Sequence, residues 1–403
     1  MQNRSPLYFT LIVSLGGFLF GFDASVISGA IVYLDTIFEL NSVSKGWIVS
    51  APSFSAMFAM LGAGMLSDRI GRKKTLQLVA FCFVLSAFLS AISQDIGSLI
   101  AARMLGGMAF GGALIIVPVY ISEISPAEQR GRLVSIQQMN IVLGFLAAYF
   151  SNYIIVVYFA QWVSELNIWR WMLAVELLPA IIYVTLLPKI SESSVWLKSR
   201  PSLINRRQPA KEEASSFRSI LLFSTSFLDW FMCQKKNLST LWCITWRQIF
   251  LVAIFLGILQ QLSGINAIFF YATSIFEKTG IGIDASLAQT VAVGLINIVF
   301  TLVAFFTIDR FGRRFLLLWG LVGIVISMSI IAYGFSVTQY KLTEEIITKY
   351  NQEPEFHKSS QIFQVMIDIS YTTEEAFKND LTKAIRQIKW VEKDPGSNID
   401  RTS

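Results

Sequence analysis

Three ionisable residues lie within stretches of the sequence that are otherwise almost wholly apolar. Asp23 lies in the first such stretch, LIVSLGGFLFGFDASVISGAIVYL, Arg103 near the start of the fourth and Glu176 in the sixth. A charge in hydrocarbon is costly, so ionisable residues at this depth pair with one another or have a function. Because buried ion pairs stabilise a fold poorly compared with apolar packing, we expect a switch in which protonation of Asp23 frees Arg103 and Glu176 biases the pair. A static ion pair between helices is the alternative.

A second group of polar residues lies in the seventh apolar stretch, which contains QQLSGINAIFFY. Gln260, Gln261 and Asn266 flank Gly264. Residues 261 and 266 come together only if the helix is distorted, which a glycine permits. Amides both donate and accept hydrogen bonds, so the cluster predicts a site for uncharged hydroxyl groups. The alternative is that these amides only join neighbouring helices.

Composition assigns the chain to the membrane proteins. Of its 403 residues, 54% are hydrophobic and 15% are charged, and the mean hydropathy is +0.56. Soluble domains contain about a quarter charged residues. The net charge of +6 is explained by basic cytoplasmic loops and does not imply nucleic acid. The three cysteines have no metal-ligand spacing and suggest no disulfide framework. With no nucleotide-binding loop, metal cluster, Ser/His set or Cys/His set, the sequence does not predict an enzyme or a cofactor.

Apolar stretches long enough to cross a bilayer recur along the chain and predict an all-α integral membrane fold. The first has no small-residue cleavage site after it, so we interpret it as an uncleaved span. The predicted spans are residues 7–33, 46–66, 76–94, 98–122, 133–157, 169–188, 247–275, 287–308 and 315–335.

The connections between these spans alternate in charge. Basic residues are concentrated in 68–74, 128–132, 309–314 and the long 189–246 segment, whereas the connections on the other side hold only two lysines. By the positive-inside rule the basic connections are cytoplasmic, and so is the N-terminus.

This layout predicts four regions. A six-span bundle covers 1–188, and a cytoplasmic helical linker covers 189–246, with a buried or interfacial helix at 219–233. A partial second bundle of three spans covers 247–335, and a polar, helical, extracytoplasmic segment covers 336–403, which contains the single histidine, His357.

One short motif occurs twice, as DRIGRK from Asp68 and DRFGRR from Asp309. The copies are 241 residues apart (309 − 68), the separation expected of equivalent loops in two repeated halves. The glycine suits a tight turn, and the aspartate can cap a helix and pair with an arginine from a neighbour. The alternative, a pair of basic membrane anchors, does not require the motif to repeat.

With these motifs the sequence resembles the sugar porter branch of the major facilitator superfamily. The resemblance also includes RMLGGMAFGG (103–112), VPVYISEISPAEQRGRL (117–133), WRWMLAVELLPA (169–180) and the 260–271 stretch. It departs at 191–196, where SESSVW replaces the family's Pro-Glu-Ser-Pro-Arg-Trp. The family has twelve spans in two bundles. The resemblance therefore implies that this chain is truncated after its ninth span, with 336–403 as an enlarged loop between spans nine and ten.

The resemblance also implies roles for individual residues. Proton-coupled relatives carry an aspartate at the position of Asp23, which favours symport. Substrate contacts are implied for Phe20, Gln138, Gln260, Gln261, Asn266, Phe270, Tyr271 and Asn297. A cytoplasmic gate between the halves is implied for Asp68, Arg69, Gly71, Arg72, Glu123, Arg130, Glu192, Asp309, Arg310, Gly312 and Arg313.

The function expected from residues and resemblance together is monosaccharide:proton symport by alternating access in a plasma or inner membrane. The partners are then a monosaccharide, the coupling proton and the bilayer. Two alternatives remain at this point, namely a facilitative uniporter and a non-transporting sensor or truncated fragment.

Overall fold

The computed structural model of the chain describes residues 6–159, 167–198, 244–278 and 282–337, together with residues 380 and 383. The predicted helix at 219–233, and most of the predicted linker 189–246 and polar segment 336–403, lie outside the described residues. The predicted boundaries of the four regions therefore stay a prediction.

The described residues form helices throughout. In chain order these are α1 Pro6–Phe38, α2 Ser42–Ile70, α3 Arg72–Ile92, α4 Ile96–Ile124, α5 Arg130–Ile154 with a π-helical turn Ile155–Phe159, α6 Ile168–Ala174, α7 Leu177–Leu186, α8 Ser194–Lys198, α9 Ile244–Leu262, α10 Ile265–Phe270, α11 Ala272–Glu277, α12 Ile283–Phe311 and α13 Arg313–Val337.

The prediction of nine spans is confirmed, because nine helical segments of the described chain are long and apolar enough to cross a membrane. Two of them are broken within the span. The sixth comprises α6 and α7, and the seventh comprises α9 and α10.

The break in the sixth span lies at Val175 and Glu176, where the sequence suggests a continuous helix. Pro179 has no N–H to donate to the carbonyl of Val175. That carbonyl instead accepts from Leu178 N at 3.1 Å, in a tighter turn. Glu176 consequently lies at a helix junction inside the bundle.

Helix α1 is the centre of the first bundle and packs against α4, α5, α6 and α7. Close approach to α5 depends on glycine: a Cβ on Gly144 would lie 2.1 Å from the carbonyl oxygen of Phe18, and one on Gly21 would lie 2.0 Å from that of Ile141. Helices α2 and α3 both pack against α4. This packing buries most of α1, including Asp23.

Helices α10, α11 and α12 pack on the first bundle at α1 and α5. Phe269 contributes a ring centroid 5.0 Å from that of Phe145, and its carbonyl accepts from Tyr149 Oη at 2.8 Å. The described residues up to Gly312 form one compact unit. Helix α13, which begins at Arg313, belongs to a second unit.

Candidate functional site

Asp23 and Arg103 form an ion pair in the core of the first bundle. Arg103 Nη1 lies 2.7 Å from Asp23 Oδ1, and both side chains are 2% exposed. Both terminal guanidinium nitrogens also donate to the carbonyl oxygen of Asp23 at 3.2 Å. Asp23 Oδ2 and Arg103 Nε have no hydrogen-bond partner. Arg103 thus holds Oδ1 of the carboxylate, while Oδ2 has a free lone pair that can bind a proton.

Glu176 completes this cluster from the junction between α6 and α7. Glu176 is 3% exposed, and its carboxyl group interacts electrostatically with both Asp23 and Arg103. Two acids and one base therefore share a buried site, and full ionisation would leave one negative charge in excess. The structure brings together the three residues for which the sequence predicts proton coupling.

The predicted distortion of the seventh span is confirmed at Gly264, which has φ 73° and separates α9 from α10. The break places Asn266 Nδ2 3.0 Å from Gln261 Oε1. This left-handed conformation strongly favours glycine. The chain turns at this point, so the two amides project into the same space.

An open cleft of about 560 Å³ lies beside these amides. Four of the residues with an implied substrate contact line it, namely Gln261, Asn266, Phe270 and Tyr271. The facing wall comes from the first turns of α2 and includes Trp47, Ser50 and Ser53, which the sequence does not predict as site residues. An aromatic ring opposite amides suits a ligand with an apolar face and hydroxyl groups.

The other four residues with an implied substrate contact do not line this cleft. Phe20 packs on Phe110 with ring centroids 4.8 Å apart. Gln138 and Gln260 are exposed, on α5 and α9 respectively, and Asn297 is half-buried on α12.

A chain of buried hydroxyl groups joins α1 to α11 and α12. Ser28 Oγ lies 3.0 Å from Thr273 Oγ1 and accepts from Thr273 N at 3.0 Å. Thr273 Oγ1 lies 3.3 Å from Thr290 Oγ1, and all three residues are at most 1% exposed. Ser28 lies two turns beyond Phe20 on the same face of α1. At the level of Ser28, the hydroxyl chain therefore closes the space between α1 of the first bundle and helices α11 and α12.

At the other end of the bundle, Arg72 lies at the centre of an ionic network. Its guanidinium lies 2.6 Å from Asp68 Oδ1 and 3.0 Å from Glu123 Oε1. Its Nη1 also donates to the carbonyl of Ser67 at 3.0 Å. Asp68 and Arg72 belong to the same motif copy and meet across the turn at Gly71. The predicted pairing of Asp68 with an arginine from a neighbour stays a prediction.

Glu192 caps the start of α3, a role that the sequence does not predict. Its carboxylate accepts from the backbone N–H groups of Arg72 at 2.9 Å and Lys73 at 3.1 Å. These N–H groups have no partner within the helix, and a negative charge at a helix N-terminus is favourable. Trp196 Nε1 donates to the carbonyl of Asp68 at 2.9 Å and fixes the same loop from α8.

For the remaining residues implied for the gate, the structure gives only the exposure or the backbone conformation. Arg69 and Arg130 are exposed. Gly312 has φ 77°, as the tight turn of the second motif copy requires. The side chains of Asp309, Arg310 and Arg313 lie outside the described residues, so a contact between the two motif copies stays a prediction.

Gly71→Ala is expected to destabilise the bundle by about 1–3 kcal/mol, the cost of holding a non-glycine residue in a sparsely populated backbone conformation. Gly71 has φ 100°, and a Cβ there would lie 2.4 Å from Glu192 Oε2, so the helix cap must also shift. Denaturant unfolding of the purified protein measures the change. Gly131→Ala is the matched control, since a Cβ at that position meets nothing within 4 Å. An equal effect of the two substitutions would contradict this explanation.

Glu277, Asp35, Lys45 and Lys278 form a charge cluster at the end of the bundle opposite to Arg72. The contribution of this cluster to the stability of the fold depends on pH. Burial, and then the nearby Asp35 carboxylate, raise the pKa of Glu277, while Lys45 and Lys278 oppose the shift. Asp35 in turn pairs with Lys45 at 2.5 Å. Since the folded protein disfavours the ionised form of Glu277, its contribution to stability falls as the pH rises through that raised pKa.

Glu277→Gln is expected to raise the unfolding temperature at pH 7.5, by an amount worth less than about 1 kcal/mol because the group is partly exposed. At a pH of about 3 the glutamate is mostly protonated in both the folded and the unfolded protein, so the advantage should vanish. Thermal unfolding between pH 3 and 8, the range set by that value, measures this, with the exposed Glu128→Gln as control. A gain that does not depend on pH would contradict the assignment.

Within the described ranges, no three His, Cys, Asp or Glu side chains come together as a metal site would require. The chemistry available to the buried cluster is proton binding at a carboxylate beside a fixed cation. The chemistry available to the cleft is hydrogen bonding to an uncharged ligand.

Comparisons with known proteins agree with these features. Residues 9–349 match the family described as "Sugar (and other) transporter". The glucose transporter GlcP of Staphylococcus epidermidis is 34% identical over 340 residues, covering 82% of this chain and 72% of that protein. The arabinose-proton symporter of Bacillus subtilis is 33% identical over 352 residues, covering 84% and 73%. The inward-open conformation of the xylose transporter XylE from E. coli superposes with a TM-score of 0.63 at 28% identity, covering 83% and 75%.

Proposed function

Since the chain belongs to the sugar transporter family of the major facilitator superfamily, we propose that it carries a monosaccharide across the plasma or inner membrane together with a proton. The names of similar proteins support both parts of this proposal, because one is a glucose transporter and another an arabinose-proton symporter. The N-terminus is cytoplasmic in this proposal, as the basic connections indicate.

The observation that carries the proposal is the half-satisfied carboxylate of Asp23. Arg103 holds Oδ1, while Oδ2 is buried without a partner. A proton that binds Oδ2 cancels the negative charge and weakens the hold on Arg103. Glu176, which interacts with the same arginine, then becomes its principal counter-ion. The arrangement of this bundle thus depends on whether one proton is bound.

The sugar site is formed in part by the amides of the broken seventh span. Gln261 and Asn266 offer donors and acceptors to hydroxyl groups, and Phe270 and Tyr271 line the same cleft. Phe20, Gln138, Gln260 and Asn297 complete the proposed site through the resemblance to sugar porters. They do so in a conformation that brings them closer to the cleft than this one.

Alternating access requires contacts that form on one side while those on the other side open. The hydroxyl chain of Ser28, Thr273 and Thr290 is the proposed closing contact on the extracytoplasmic side. The network around Arg72 and Glu123 is the proposed cytoplasmic gate, to which the second motif copy contributes. Movement of α10 and α11 about the turn at Gly264 would separate the hydroxyl chain.

Uptake by energised membrane vesicles that contain the 403-residue chain tests this function. D-glucose, D-xylose, L-arabinose and D-galactose serve as labelled substrates, and sucrose serves as the disaccharide control. We expect accumulation of at least one monosaccharide, and collapse of that accumulation by a protonophore. Uptake that only equilibrates and ignores the protonophore would indicate a uniporter. The absence of any uptake would indicate a sensor or scaffold and would overturn the proposal.

A further inference from the structure

Ser86 of α3 faces the open side of the Asp23 carboxylate across Gly106 of α4. A Cβ built on Gly106 would lie 2.6 Å from Ser86 Oγ and 3.5 Å from Asp23 Oδ2. The missing side chain therefore leaves a small gap with a hydroxyl on one side and an unpartnered carboxylate oxygen on the other. A small shift of these side chains can bring the two oxygens within hydrogen-bond distance of each other.

The hydroxyl of Ser86 is oriented so that it can accept a hydrogen bond. It donates its hydrogen to the carbonyl of Ala102 at 2.8 Å, and the residue is 3% exposed. A hydroxyl that donates its one hydrogen retains two lone pairs. A protonated carboxyl has an O–H to donate, whereas an ionised carboxylate has none. While its hydrogen is held by Ala102, Ser86 can only accept at this point, and it then stabilises the protonated form of Asp23.

We propose that Ser86 is a positioning residue for proton coupling, which accepts the hydrogen bond of the protonated Asp23 carboxyl across the gap at Gly106. The inference rests on the proposed function in taking Asp23 as the group that binds the coupled proton. The proton forms an O–H bond at Oδ2 and leaves by the same bond when the carboxylate is regenerated, so Ser86 keeps its own hydrogen throughout. No other bond is made or broken.

Two ionisable groups also act on Asp23 from the helices around it. Arg103 of α4 holds Oδ1 and favours the ionised form. Glu176, at the junction of α6 and α7, favours the protonated form of Asp23 by repulsion whenever Glu176 is itself ionised. Ser86 differs from both because it is uncharged and acts at Oδ2. Its loss should therefore move the pH at which Asp23 binds a proton without breaking the ion pair to Arg103.

Infrared pH-difference spectra of the full purified chain test the inference without requiring transport. The signal is the protonated-carboxyl band that Asp23→Asn removes. In Ser86→Ala we expect the midpoint of this band to move to lower pH by about 0.5–1 unit, a three- to tenfold loss of proton affinity, the range for a single hydrogen bond. Ser86→Thr, which keeps the hydroxyl, should retain the original midpoint.

Gly106→Ala should shift the midpoint in the same direction, because its Cβ displaces the Ser86 hydroxyl. Ser90→Ala is the matched control, a serine one turn further along α3 with the same 3% exposure. An unchanged or raised midpoint in Ser86→Ala, an equal shift in Ser90→Ala, or the absence of any band that Asp23→Asn removes would each overturn the inference. Failure of sugar uptake with the expected spectra would count against the proposed function alone.

Discussion

Asp23→Asn is expected to abolish uphill accumulation of sugar while leaving downhill exchange intact. Asparagine has the shape of the protonated aspartate but cannot take up or release a proton, so the bundle remains in its protonated arrangement. With one proton per sugar, a potential of 100 mV supports an accumulation of about fiftyfold. In the variant we expect this ratio to fall to about one.

The measurement is labelled sugar uptake by proteoliposomes under an imposed membrane potential, with counterflow exchange in parallel. Asp95→Asn is the matched control, because Asp95 is exposed and caps α4 by accepting from Ser98 N at 2.9 Å, and asparagine caps equally well. Loss of counterflow along with accumulation would indicate that Asp23 holds the fold together, as in the static ion-pair alternative. Full accumulation by Asp23→Asn would remove Asp23 from the coupling mechanism.

Cross-linking Ser28→Cys to Thr273→Cys is expected to arrest transport by tenfold or more. The two hydroxyl oxygens are 3.0 Å apart and buried, so cysteines at these positions are close enough for a disulfide after a small adjustment. If α11 must leave α1 for sugar to enter, a covalent bond at this point holds the extracytoplasmic side closed. Reduction of the bond should restore uptake.

The experiment uses a background in which Cys82, Cys233 and Cys243 are replaced by serine. Ser14→Cys with Asn140→Cys is the matched pair, because these side chains are hydrogen-bonded at 2.5 Å within the first bundle. That cross-link joins α1 to α5, which pack closely within one bundle, and should leave uptake unchanged. Normal transport by a fully cross-linked Ser28→Cys/Thr273→Cys protein would show that this contact does not open.

Much of this arrangement can be predicted from the sequence because the bilayer restricts the possible structures. Long apolar segments must be helices in lipid, since each backbone polar group needs a partner. Ionisable residues are rare in these segments, and an isolated charge there is costly. Asp23, Arg103 and Glu176 are therefore expected to pair with one another. The distorted seventh span follows in the same way from Gly264 between two amides.

The features that the sequence does not predict depend on contacts between distant segments. Glu192 lies 120 residues from Arg72, and only the folded loop shows that its carboxylate caps α3. Ser28 and Thr273 have no distinguishing local pattern, since hydroxyl residues are common in membrane helices and often bond to their own backbone. Ser86 is similar, because its role depends on the absence of a side chain at Gly106, on a different helix.

The most direct test of the central claim is the pH recorded outside de-energised proteoliposomes when D-glucose or D-xylose is added. Proton-coupled entry through Asp23 predicts external alkalinisation with the wild-type chain and with Asp95→Asn, and none with Asp23→Asn. Sugar entry without alkalinisation in the wild-type chain would contradict the claim.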